Sequence, residues 1–315
     1  MAEILNNKVD LSSNDLDMIN KFIGFGDFNA TNLLFFGIEE GLGPQKIDDI
    51  VKKHLGEVQL RLDKFVSKPN LCVSGLNKDD GFWTSGIDTD SLRQECYREL
   101  GFPYSNPKAP RGLYLNYLTA ILFILEEDSD EEAQKWRNPS QVMKDKIKKR
   151  LADGFFNVST GMRPTLADWR PLPRQKEDTW CYSLNEIEYL TAFDFKPSTT
   201  LFERLRSQRL EIYKKLLNTH HIPVIIGLKK EPMYKLFKNI FSNISTQELN
   251  FFQSGLPQNK KIIWAKVEFP LGQTLIICMD HPSAPKTSYE TVCNGALKIR
   301  QLLRGHDNEA QPYNK

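Results

Sequence analysis

Little in this chain points to a metal scaffold, a membrane span or a bulk charge. The five cysteines, Cys72, Cys96, Cys181, Cys278 and Cys293, are odd in number, scattered and never spaced as CxxC. That excludes a zinc ribbon and a cysteine-held iron–sulfur cluster, and it reads as free thiols in a reducing cytoplasm. The longest apolar run, Tyr117 to Leu125, is roughly half of what a bilayer span needs. The start, Met1 to Asn7, has neither a basic region nor an apolar core. A cytoplasmic location with no membrane attachment is therefore expected. Net charge is small: 42 Lys plus Arg stand against 40 Asp plus Glu, a formal +2. A protein that holds polyanions by bulk charge is thereby excluded, but an enzyme with a local basic groove is not. No GxSxG elbow, Walker loop or dinucleotide fingerprint is present.

What is present is ordinary globular composition, 315 residues with 40% hydrophobic and 26% charged side chains. Length alone allows one large α/β domain or two average ones. Ser12 to Asp15 reads as the N-cap of a short helix with Leu16, Ile19 and Phe22 as its apolar stripe. Asn32 to Gly37 reads as a buried strand, and Ile38 to Pro44 as a glycine-bearing loop before a helix from Gln45 to Leu55. Residues 67–112 are rich in Gly, Pro, Asn and Asp and read as a long irregular insertion. A strongly apolar helix follows over Gly112 to Leu125, then an acidic run, Glu126 to Glu132, and a basic one, Lys144 to Arg150. Phe155 to Ser159 reads as a second strand, followed by a basic, proline-rich loop from Arg163 to Arg174. A helix over Leu201 to Leu217, a strand over Ile222 to Gly227, a hairpin over Lys261 to Met279 and a helix over Tyr289 to Leu303 complete the pattern. Strands alternating with helices predict a single three-layer α/β/α domain with a mostly parallel central sheet. Its expected division is an N-terminal helical extension over 1–30, a domain over 31–304 with insertions at about 67–112 and 126–150, and a flexible polar tail over 305–315.

Open parallel sheets bind ligands beyond the carboxyl ends of their strands. Three polar groups fall at such ends: Glu39, Asn157 and His281. A carboxylate stabilises an oxocarbenium-like centre or orients water, and an imidazole donates to a leaving group that gains negative charge. An amide matches the edge of a pyrimidine. Taken singly, none of the three decides a function.

Order and context add to them. Gly37-Ile38-Glu39-Glu40-Gly41 after a buried strand, the Phe155-Phe156-Asn157 block, the Pro223-Val224-Ile225-Ile226-Gly227 strand and the strand ending Asp280-His281-Pro282-Ser283 together resemble the uracil-DNA glycosylase superfamily, from about Asn32 to Leu303. The resemblance implies a monofunctional DNA glycosylase with that superfamily's fold. It would need no metal or other cofactor, and its product would be an abasic site. Glu39 would take the place of the water-activating or cation-stabilising residue, and His281 would bond the departing base's carbonyl oxygen. Asn157 would read the flipped base, with Ile38 and Gly41 bordering it. Ser283, Lys286 and Arg163 would hold DNA, the expected partner; no obligate protein partner is implied.

The departures bear on the substrate. Glu39 stands where the superfamily has Asp or Asn, and Gly41 where its strictly uracil-specific members place a Tyr that blocks the pyrimidine C5 position. Glycine blocks nothing there. A pyrimidine with a bulky C5 group, such as glucosylated hydroxymethylcytosine in phage DNA, is thus the expected substrate. Repair of uracil or another deaminated base is the alternative. A non-catalytic nucleic-acid binder on the same fold is the third reading. Phe82, Trp83 and Tyr104 of the long insertion are candidate stacking residues. Base concentrates at Lys144 to Arg150, Arg163 to Lys176 and Arg204 to Lys215, which suggests one DNA-facing side with the acidic run turned away.

Overall fold

A computed structural model describes residues 2–41, 49–66, 96–102, 113–156, 161–176, 178–254, 262–282, 287–305 and 311–312. A hairpin of β1 (Glu3–Leu5) and β2 (Lys8–Asp10) opens the chain. Helix α1 (Ser13–Lys21) starts on a capping box, in which Ser12 and Asp15 satisfy each other's backbone N–H groups. Then come β3 (Gly24–Phe25), β4 (Leu33–Gly41) and α2 (Ile50–Leu60). Three helices follow, α3 (Leu113–Glu126), α4 (Asp130–Lys135) and α5 (Gln141–Asp153), before β5 (Pro164–Arg174). The next elements are α6 (Glu186–Phe193), α7 (Thr200–Thr219), β6 (Val224–Leu228) and α8 (Lys230–Ile244). The chain closes with β7 (Phe252–Gln253), β8 (Ile263–Phe269), β9 (Gly272–Met279), α9 (Tyr289–Leu303) and β10 (Gln311–Pro312).

The eight described strands of the main sheet run in the order β10-β7-β8-β9-β6-β4-β5-β3. The four central ones, β9, β6, β4 and β5, are parallel, and the outer ones pair antiparallel. Period-two alternation splits the strand side chains between two cores. Leu34, Phe36, Ala167, Trp169, Ile225, Ile276 and Cys278 enter one core, with α1, α2 and α6 to α8. Leu33, Phe35, Leu166, Ile226, Leu228, Ile277 and Met279 enter the other, with α3 to α5 and α9. This is the expected α/β/α layering. Strands buried on both faces read as continuous apolar runs, which is why β4, β6 and β9 stand out in the sequence.

Three expectations change. The second parallel strand among the described residues is Pro164–Arg174, in the segment read as a basic loop. Phe155 and Phe156 lie in a bend, packed edge-to-face on one another against the α3–α5 core; residues 157–160 lie outside the described residues. Prolines argue against central strands, but Pro164 is the first residue of β5. Pro171 and Pro173 lie where β5 carries two residues more than β4 between the Glu39–Arg170 and Gly41–Arg174 pairs. The expected loop after Gly37 is, as far as Gly41, a continuation of β4 along β5. The tail contributes Gln311–Pro312, which pair with Phe252 and Gln253, so this part of it belongs to the sheet.

Candidate functional site at the carboxyl edge of the parallel strands

Register fixes the geometry. Phe36 pairs with Gly227, and Gly227 with Cys278. Glu39 and His281 each lie three residues beyond that row. They therefore share the carboxyl edge of the sheet, two strand spacings or about 10 Å apart. Lys229 follows β6 between them as the N-cap of α8, with a left-handed φ of 100° and its N–H donated to the Met279 carbonyl at 3.0 Å.

Glu39 is gripped from β5. Arg174 meets its Oε1 through Nε at 2.8 Å and Nη2 at 2.7 Å, and Arg170 approaches Oε2 through Nη1 at 3.4 Å. Both arginines are anchored again on or beside α6, Arg174 on Glu186 at 3.2 Å and Arg170 on Asp194 at 2.8 Å. The Arg174 side chain is 2% exposed and that of Glu39 12%. At this burial a carboxylate keeps its charge only with partners, and Arg supplies them in a fixed planar fork. Glu39 is thus a charged group held in one place, with lone pairs on Oε2 left to accept from a water or a sugar hydroxyl.

His281 is held from the other side. The Tyr114 ring, in the first turn of α3, stacks on the imidazole with centroids 5.5 Å apart and planes 21° apart. Thr287 donates to the His281 carbonyl at 3.0 Å, and Tyr117 donates to the Thr287 carbonyl at 3.2 Å. Burial, and then the neighbouring Lys229 charge, hold the His281 pKa below its ordinary value. A neutral imidazole has one N–H and one acceptor nitrogen.

Two residues before the Glu39–Arg170 row, in the middle of β5, Asp168 is the register partner of Gly37. It alternates with Leu166 onto the α3–α9 side of the sheet. Its Oδ1 lies 2.2 Å from where a Cβ on Gly37 would be. Glycine at 37 is therefore what lets the Asp168 carboxylate lie across β4.

The expected site residues divide as follows. Glu39 and His281 come to one edge. Gly41 ends β4 at that edge, opposite Arg174. Ile38 packs into the core on the α7–α8 side of the sheet, because alternation points it away from the face of Gly37. Arg163 is exposed at the amino end of β5, where its carbonyl accepts from Asn32. It is roughly 20 Å along the strands from Glu39, so it does not belong to this edge. Asn157, Ser283 and Lys286 lie outside the described residues, as do Phe82, Trp83 and Tyr104. Among the described residues, no three His, Cys, Asp or Glu side chains converge as metal ligands do. Arg170, Arg174, Lys229 and Tyr114 are additions to the sequence-based set. Two prolines disguised the strand that carries the first two, and Tyr114 looks like any other member of an apolar helix.

Compared with protein-family models, curated proteins and solved structures, the chain matches nothing.

Proposed function

We propose that the chain is a monofunctional DNA glycosylase. It hydrolyses the N-glycosidic bond of a flipped-out, C5-substituted pyrimidine, such as glucosylated hydroxymethylcytosine in phage DNA, and leaves an abasic site. The observation that supports this best is the placement of a fixed carboxylate, Glu39, and a half-buried imidazole, His281, at the same carboxyl edge of parallel strands. In the step envisaged, the bond from the base nitrogen to the sugar C1′ breaks and its electron pair leaves with the base. Water supplies the new C1′–O bond and gives up a proton, so the products are an abasic sugar and the protonated base. Glu39 stabilises the cationic sugar and orients the water; His281 donates to the base carbonyl as it gains charge. Loss of one such donor costs about 2.7–4 kcal/mol of barrier.

The test is release of free base, scored as alkali-labile sites, from matched DNAs carrying glucosylated hydroxymethylcytosine, cytosine or uracil. Release from the modified DNA, abolished by Glu39→Gln with the fold intact, supports the reading. Release from uracil DNA only assigns repair instead. The arginine grip on Glu39 favours a second reading, a non-catalytic DNA binder in which Glu39 only fastens β4 to β5. It predicts DNA binding without base release from any substrate.

A further inference from the structure

We infer that the chain holds a second ligand site, at the amino edge of its parallel strands, and that this site takes a small amphipathic anion: an apolar body carrying one carboxylate. It lies on the opposite edge of the sheet from Glu39 and His281 and does not depend on the glycosylase reading. A cavity of about 360 Å³ opens between the first residues of β6 and β9 and the last turn of α9. Small-ligand pockets run from roughly 300 to 1,000 Å³. Register places the cavity. Leu275 of β9 pairs with Val224 of β6, and its N–H donates to the Pro223 carbonyl at 2.8 Å. Leu275 comes six residues before His281, roughly 20 Å along the strand.

Its walls are of two kinds. Pro223, Leu275, Leu302 and Leu303 supply an apolar part. Leu275 and Leu302 are buried in the core, whereas Leu303 is 48% exposed, so a ligand against it removes apolar surface from water. The charged side chains of the wall, Arg304 and Lys266, are both basic, and the proposed contact is to Arg304, the C-cap of α9. Arg304 Nη1 donates to Asp130 Oδ1 at 3.0 Å, the same oxygen that accepts from Arg300 Nε at 2.9 Å. One carboxylate thus faces two guanidinium groups, which leaves positive charge over. The contact also fixes the Arg304 guanidinium by one corner. Its Nε and Nη2 make no other bond among the described residues. Those two groups form an edge that a carboxylate meets with two parallel hydrogen bonds. The carboxyl end of α9 is here too, and its partial negative charge favours a cation; Arg304 already fills that role. An apolar body against the leucines with a carboxylate on Arg304 satisfies both walls. A bare anion or an uncharged apolar molecule satisfies only one.

The test is calorimetric titration of the full chain with phenylbutyrate, its neutral amide, butyrate and phenylbutylamine. Phenylbutyrate should bind one to one, about tenfold or more tighter than the amide, the scale of one hydrogen bond to a charged group. Butyrate, which lacks the ring, should bind more weakly as well. Arg304→Gln should bring phenylbutyrate down to the affinity of the amide. Leu303→Asp should weaken both, because it sets a charge against the apolar body. Both positions are half exposed, and melting curves identify any variant that fails to fold. Arg304→Lys then serves in place of Gln, with the same loss expected, since it keeps a charge for Asp130 but not the fork. Four results overturn the inference: no saturable binding of phenylbutyrate, equal affinity for the amide or for butyrate, tighter binding of the amine, or phenylbutyrate affinity unchanged in the Arg304 and Leu303 variants.

Discussion

At the scale of single residues, the site depends on charges being held rather than being present. Removing Arg174 strands the Glu39 carboxylate in a mostly buried position, where breaking such a pair typically costs 3–5 kcal/mol. Arg174→Ala should therefore destabilise the protein by about 3 kcal/mol or more, read from the urea midpoint. Arg174→Lys should recover little, since an ammonium cannot reproduce a contact made by Nε and Nη2 together with a third made by Nη1. His281 titrates below the ordinary imidazole value because of burial first and Lys229 second. Lys229→Ala should raise its midpoint, as should Tyr114→Ala, which uncovers the ring; Tyr114→Phe keeps the stack and should leave it near the wild-type value. Ring nitrogen shifts in a protein with five histidines read this directly, with His281→Gln giving the assignment.

At the scale of elements, β5 is the part that sequence patterning mistakes, and the arginines explain how. Arg209 belongs to a helix that reads as a basic, DNA-facing surface. Yet it is 1% exposed and donates to the carbonyls of Asn20, Phe22, Asp168 and Trp169. It joins the end of α1 and the middle of β5 to α7. Arg209→Ala should cost about 3 kcal/mol in a denaturant titration, because several carbonyls lose their donor at once. If Arg209 were a DNA contact, the same variant would weaken binding and leave stability unchanged. Much of the sheet was legible: the apolar runs of β4, β6 and β9, the β8–β9 hairpin, the Ser12 cap and the Tyr289–Leu303 helix are local signals. What was not legible depends on partners far along the chain. The sequence does not show that Arg170 and Arg174 face Glu39 more than 130 residues away, or that Gly37 makes room for Asp168. Glu39 and His281 were found because strand ends in parallel sheets are where ligands bind. Tyr114 had no such marker.

At the scale of the whole molecule, part of the expected basic side is turned inward. Arg170, Arg174 and Arg209 are consumed by internal partners. The acidic run is used as well: Asp130 to Glu132 occupy the first turn of α4, where the helix dipole favours them. Asp130 also pairs with Arg300 and Arg304. Arg163 lies at the amino edge, so Arg163→Ala should leave DNA affinity within about twofold of the wild type at fixed salt, well short of the loss expected for phosphate contacts. Two histidines, His54 buried and His281 half-buried, contribute to the pH response. His54 is fully buried and, like His281, is held below its ordinary value near 6.5, in both cases chiefly by burial. The unfolded chain binds those protons more readily than the folded one, so their contribution is intact above about pH 6.5 and is lost as pH falls below it. Urea midpoints should therefore drop between pH 7 and 5, and less steeply in His54→Gln. No helix among the described residues is long and apolar enough to cross a membrane.

The most direct measurement of the central claim is release of free base from duplex DNA containing glucosylated hydroxymethylcytosine, beside cytosine and uracil controls, by the wild type, Glu39→Gln and His281→Ala. A glycosylase built on this edge releases the modified base and leaves alkali-labile sites. Each variant should lose activity by about a hundredfold or more, the scale of one transition-state contact, at a temperature where its melting curve shows it folded. Absence of base release from all three DNAs by a folded, DNA-binding wild type, or full activity in both variants, would contradict it.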